Sequence, residues 1–159
     1  MPSILFEYKS TPSYGYKGMQ GGSAITVYNN GVVVLQRFTV GCPELTEKIT
    51  LLKSSDLASA IGAVLSKHQD VLSEVPSKLN NGSLDGSHDC FRFGAKHISS
   101  WSIARIAPQE ILSDGTEYCK QLRKNAEYEN LVLDVYSDIE KLLIAYGLGN
   151  HLPTFAAGN

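Results

Sequence analysis

The sequence has no excess of either charge, no long apolar run and no even set of cysteines, and each shortage closes off a class of protein. Fourteen Lys and Arg stand against 16 Asp and Glu, a net charge of -2. That balance gives no long-range pull toward a polyanion, so nucleic acid is not an expected partner. No stretch approaches the roughly 20 consecutive apolar residues that span a bilayer, so no membrane partner is expected either. The cysteines are Cys42, Cys90 and Cys119, odd in number and far apart. They do not read as a disulfide framework, and they predict reduced thiols and a cytoplasmic location. Met1 to Ser10 lacks the basic start and apolar centre of a signal peptide. The phosphate-cradling pattern G-x-x-x-x-G-K-[ST] is missing, and no residue set completes a metal site. No cofactor and no metal are expected.

What is present predicts one α+β domain over residues 1–150 with a C-terminal tail over 151–159. A chain of 159 residues suits a single domain and buries roughly 70% of its unfolded surface without staples. Ile4 to Tyr8 reads as a first strand. Ser23 to Tyr28 and Val32 to Val40 read as a hairpin around Asn30-Gly31, a dipeptide that tolerates positive φ. A two-residue turn there sets Val27 opposite Val34 and Ile25 opposite Gln36. It places Ile25, Val27, Val32, Val34, Phe38 and Val40 on the core face. Glu47 to Lys53 reads as another strand.

Ser54 or Ser55 then caps a helix, with Asp56 in the first turn. Leu57, Ala60, Ile61, Val64 and Leu65 form its buried stripe, and it ends near His68 to Leu72. Asp89 to Phe93 and Lys96 to Ile103 form a second hairpin around Gly94-Ala95. The change of apolar parity at Trp101 and Ile103 predicts a bulge at Ser99-Ser100. Pro108 suits a helix start, and Asp114 to Glu117 reads as a capping box. Leu131, Val132, Val135, Tyr136, Ile139, Leu142, Leu143 and Tyr146 share one helical face, closed by Gly147 and Leu148 in a Schellman end. Strands, a helix, a hairpin and then helices predict an antiparallel sheet, built from two hairpins and flanking strands, with helices packed on one face.

Three places carry side chains that bear on function. The first is the loop Thr11 to Gly22, whose Tyr14, Tyr16 and Lys17 sit among four glycines. Tyrosines there offer contact area at low rotamer cost, which predicts a recognition element. The second is the hairpin Asp85 to Trp101. Its register places His88, Cys90, Arg92, His97 and Ser99 on one face, with Phe91, Phe93 and Ile98 on the other. A thiol beside an imidazole and a guanidinium is how a cysteine is activated, so His88, Cys90 and His97 are candidate catalytic residues. For a zinc site Asp85 or Asp89 would have to join them, and Asp89 points to the opposite face. The third is His68, at the end of the first helix. The acid pairs Glu127/Glu129 and Asp134/Asp138 read as solvated.

From Phe6 to Leu65 the chain resembles emfourin-type protease inhibitors in Gly18, Gly22, the Asn30-Gly31 turn and the helix that follows. These are general turn motifs, and no site residue is carried over. Without a complete catalytic set, the expected function is a non-catalytic binding or regulatory module with a protein partner or a copy of itself. The alternatives are a small enzyme using the Cys/His cluster, and a small-ligand binder with an apolar pocket between sheet and helices.

Overall fold

Alternating apolar residues and short turns build the sheet, and two amphipathic helices cover one side of it. A computed structural model describes residues 1–83, 86–111 and 114–153. The strands are β1 Ile4–Pro12, β2 Gln20–Tyr28, β3 Val32–Thr39, β4 Glu47–Lys53, β5 Ser87–Phe93 and β6 Lys96–Trp101. They form one sheet in the order β4-β3-β2-β1-β5-β6, with every neighbouring pair antiparallel. The helices are α1 Ser55–Glu74 and α2 Glu117–Ala145. The expected α+β architecture, an antiparallel sheet with helices on one face, is the one found.

The register sets the core. Phe6 and Tyr8 on β1 stand beside Val27 and Ile25 on β2 and beside Phe93 and Phe91 on β5. All six are buried. Tyr8 and Phe91 stack at 4.5 Å, and Tyr136 of α2 closes on them at 5.0 and 5.4 Å. Leu57 and Ile61 of α1, and Val132, Val135, Ile139 and Leu143 of α2, complete the cluster. Each such side chain contributes about 1.5–3 kcal/mol on burial. α1 runs on to Glu74, beyond the expected end near His68 to Leu72. Ser54 Oγ accepts from Leu57 N at α1, and Val75 is extended ahead of Pro76. Gly147 has φ of 81°, and Leu148 N donates to Leu143 O at 2.9 Å in the expected Schellman end.

Several local expectations are corrected. The β2–β3 turn spans Asn29, Asn30 and Gly31, not two residues, because Val27 pairs with Val33 and Ile25 with Leu35. Gly31 N donates to Tyr28 O, and Gly31 takes φ of 89°. A side chain at Gly31 would also collide with the Ser54 carbonyl. This one-residue slip turns β3 over. Val33 and Leu35 are buried, while Val34 and Phe38 lie on the uncovered face. β1 runs on to Pro12 and β2 starts at Gln20, so the Thr11–Gly22 connection shortens to a tip at Ser13–Met19.

The second hairpin has no bulge at Ser99-Ser100, since β5 and β6 pair regularly from Phe93 with Lys96 to His88 with Trp101. The parity change falls beyond that pairing, at Ser102, and leaves Trp101 on the uncovered face opposite His88. Ser102 takes φ of 49°, which few non-glycine residues adopt, and this returns Ile103 to the interior. At the start of α2 the cap is Thr116, which accepts from Cys119 N, while Asp114 accepts from Thr116 N. Pro108 opens a 3-10 turn rather than a helix.

Leu152 packs against the core, and residues 154–159 lie outside the described residues. Asp85, weighed above as a metal ligand, lies outside them too. No helix among the described residues is long and apolar enough to cross a membrane.

Candidate functional site

The second hairpin presents His88, Cys90 and His97 on the face that the helices leave uncovered. Cross-strand partners are His88 with Trp101, Cys90 with Ser99 and Arg92 with His97. His88 and Cys90 approach each other, with Nδ1 3.7 Å from Sγ. His97 lies one pair further along, beside Arg92, and is exposed. The His88 ring rests against Trp101 at 4.5 Å. Burial pushes the Cys90 thiol up from its ordinary value, and nearby Lys9 offsets this only in part. A thiol displaced in that direction is a poorer source of thiolate than a free cysteine.

The β1–β2 tip is the second surface. Gly18 N donates to Val40 O at 2.8 Å, Val40 N to Met19 O at 2.9 Å, and Ser13 N to Gly86 O at 2.8 Å. These bonds fasten both ends of the tip to the sheet. Tyr14 and Tyr16 between them are 81% and 87% exposed, and Lys17 is exposed as well. Below the tip lies an open cleft of about 490 Å³. Tyr14 and Gln20 line its rim, and Ser10 and Ser87, both buried, line its floor.

Behind that floor is a feature the sequence reading missed. Asp89 is fully buried on the helix-covered face. Its Oδ1 accepts from Ser10 Oγ at 2.8 Å and Tyr8 Oη at 3.2 Å, and its Oδ2 from Ser87 Oγ at 2.9 Å and Ile103 N at 3.0 Å. Four donors saturate the carboxylate, which is how a protein keeps such a group inside. Burial, followed by the Asp89 charge, pushes the Tyr8 hydroxyl far up, so it stays protonated and donates.

Glu129 on α2 is fully buried too, which corrects the expectation that it is solvated. Its Oε1 accepts from Ser100 Oγ at 2.6 Å and Asn81 Nδ2 at 3.1 Å, while Oε2 has no hydrogen-bond partner among the described residues. Burial holds its carboxyl above the ordinary range, against the pull of those donors, and Asp89 adds to the rise. Both acids were within reach of sequence periodicity. Asp89 alternates with Phe91 and Phe93, and Glu129 precedes Val132 and Tyr136 by three and seven residues on the buried stripe.

The remaining candidates join elements. His68 Nε2 meets Asp138 Oδ2 at 2.9 Å, which ties α1 to α2 and holds the Asp138 carboxyl below its usual range. Asp134 pairs with Arg105 at 2.8 Å. Between α1 and the β5–β6 turn runs a groove of about 440 Å³, lined by Leu65, Leu72, Phe93 and Ala95. Among the described residues, no group of three or more His, Cys, Asp or Glu is arranged to hold a metal ion.

No family model matches this chain, and no curated protein shows significant similarity to it.

Proposed function

We propose that this chain is a non-catalytic binding module that recognises a partner protein through the β1–β2 tip and the cleft beneath it. The observation that carries this reading is the exposure of Tyr14 and Tyr16 on a tip fastened to the sheet at both ends. Aromatic rings held outward on a restrained backbone lose little entropy when they are covered, which suits them as contact anchors. The groups that could do covalent chemistry are arranged less favourably. Cys90 is shifted away from thiolate, and Asp89 and Glu129 are sealed from solvent.

The test is a Tyr14→Ala/Tyr16→Ala variant, compared with wild type and with Trp101→Ala in quantitative affinity purification from the native host. Anchor residues in true interfaces often cost 2 kcal/mol or more on truncation. Exposed tip residues cost folding only about 0.5 kcal/mol. The expected result is an unchanged melting curve and a partner lost from the double variant but kept by Trp101→Ala. Retention of every partner by the folded double variant would remove the reading.

The groove beside Leu65 and Ala95 supports a second reading, a small apolar ligand held between helix and sheet. Small apolar probes that leave the amide resonances of Leu65 and Ala95 unmoved would dismiss it.

A further inference from the structure

The groove between α1 and the β5–β6 turn is left open by its own sequence. Leu65 and Leu72 lie on the inner stripe of α1, and Gln69, which shares that stripe, is polar and exposed. The helix therefore does not seal against the sheet there. Across from it the turn is Gly94-Ala95, which brings almost no side-chain volume. Gly94 takes φ of 62°, and a Cβ added to it would meet nothing within 4 Å. What remains between helix and turn is the cavity of about 440 Å³.

Floor and rim differ in chemistry. Leu72 and Phe93, each 4% exposed, form an apolar floor together with Leu65. Among the described residues Lys96 is the one charged side chain in the lining, and it forms no ion pair with any other described residue. Asp70 and Glu74, the acids at this end of α1, lie outside the lining. A neutral hydrocarbon would fill the floor and gain nothing from Lys96. A small inorganic anion would meet Lys96 and leave the floor wet. A cation would face a like charge. A ligand with an alkyl body and an anionic head uses both parts. Leu65 and Leu72 are seven residues apart on α1, a rise of about 10 Å. With carbon–carbon bonds of about 1.5 Å, an extended chain of roughly eight carbons matches that run.

We propose that this groove binds a free medium-chain carboxylic acid, its alkyl chain over Leu65, Leu72 and Phe93 and its carboxylate at Lys96. This deepens the apolar-ligand reading above and rests on it for the groove being a binding site. The head group is assigned separately, from the charge of Lys96.

The test uses the whole chain and small probes that differ in one feature at a time. Amide resonances are followed in titrations with octanoate, with neutral octanamide, with cationic octylamine and with the shorter hexanoate. The expected result is saturable shifts at Leu65, Ala95 and Lys96 with octanoate, and binding of octanamide weaker by about fivefold. Hexanoate, which lacks two half-covered methylenes, should bind about fourfold more weakly than octanoate. Lys96→Met keeps the stem and removes the charge, so it should bring octanoate to the level of octanamide and leave octanamide unchanged. Ala95→Phe, at an exposed turn position, should fill the groove and weaken both by about tenfold. If that variant does not fold, Lys96→Met, at a half-exposed position, still decides the head group. Absence of shifts with every probe removes the groove reading and this proposal together. Octanamide binding as tightly as octanoate, octylamine binding more tightly, or Lys96→Met leaving octanoate unchanged overturns the anionic head and spares the apolar reading. Equal binding of hexanoate and octanoate overturns the seat of the chain. Broadening of the same resonances by phosphatidylglycerol vesicles, with octanoate silent, overturns the assignment to a free acid.

Discussion

Asp89 should be the most sensitive polar residue of the fold. It accepts four hydrogen bonds, and the donors differ in what they can do once it is gone. The hydroxyls of Tyr8, Ser10 and Ser87 can rotate toward other acceptors. The Ile103 N–H cannot, because it is fixed in the backbone of a residue only 1% exposed. Asp89→Ala therefore strands one buried donor, worth about 1–3 kcal/mol, and removes several charge-assisted bonds. The expected total is about 3–5 kcal/mol, as for other broken buried charge networks. Asp89→Asn is milder. Its amide oxygen can keep the bonds from Ile103 N and Ser87 Oγ, and its amide nitrogen can donate to the oxygens of Tyr8 and Ser10. Its expected cost is about 1–2 kcal/mol. Urea denaturation followed by fluorescence and circular dichroism measures both, and faster amide exchange at Ile103 in the alanine variant locates the loss. Domains of this kind hold about 5–15 kcal/mol, so the alanine variant should remain measurable. Equal losses in the two variants, or a stabilised Asp89→Asn, would show that the bonds do not offset the desolvation of the carboxylate.

Two further outcomes are expected. Burial raises the Glu129 carboxyl in the fold, so the native state holds a proton that the unfolded chain has released. Stability should therefore fall as pH rises from the ordinary carboxylate range through the raised folded value. Glu129→Gln should flatten that slope in urea midpoints taken between about pH 4 and 8, and an unchanged slope would assign the dependence to another group. The β3 register predicts that Val33→Ala costs about 1.5–3 kcal/mol and Val34→Ala under about 1 kcal/mol, checked by thermal melts. The reverse ranking would restore the two-residue turn.

The sequence made the elements legible wherever one pattern acted alone. The α1 stripe, the Schellman end at Gly147 and the pairing of Arg92 with His97 all follow from local periodicity or turn chemistry. It was silent wherever two patterns agreed with different answers. Val32, Val33, Val34 and Leu35 are all apolar, so alternation could not choose a face, and the length of the turn decided it. Glu129 and Asp89 were obscured for a different reason. Charge argues for solvent and periodicity for the interior, and periodicity wins where Ser100, Asn81, Ser10 and Ser87 converge as donors from distant parts of the chain. Such convergence is a property of the sheet order, which places β1 beside β5, and no local window contains it.

The same sheet order bears on where a partner can attach. A strand at the edge of a sheet offers unpaired backbone to any other strand, including one from a second copy. β4 is such an edge, and as a uniform strand its ends would suit antiparallel self-pairing, with Glu47 facing Lys53. The register shift between Val33 and Val34 defeats this. Glu47 pairs with Arg37 and follows the helix-covered face, whereas Lys53 pairs with Val32 and follows the uncovered one. The two charges therefore point to opposite sides, and the irregular edge twists away from a flat partner. The other edge, β6, is partly taken. Ser99 N donates to Ser77 O, and Leu79 N donates to Ser99 O, both at 2.8 Å. With one edge irregular and the other partly occupied, extension of the sheet by a second copy is the costlier way to bind. The fastened tip with Tyr14 and Tyr16, above the cleft floored by Ser10 and Ser87, needs no such rearrangement. On the binding reading proposed above, the surface prepared in advance is the one that should carry recognition.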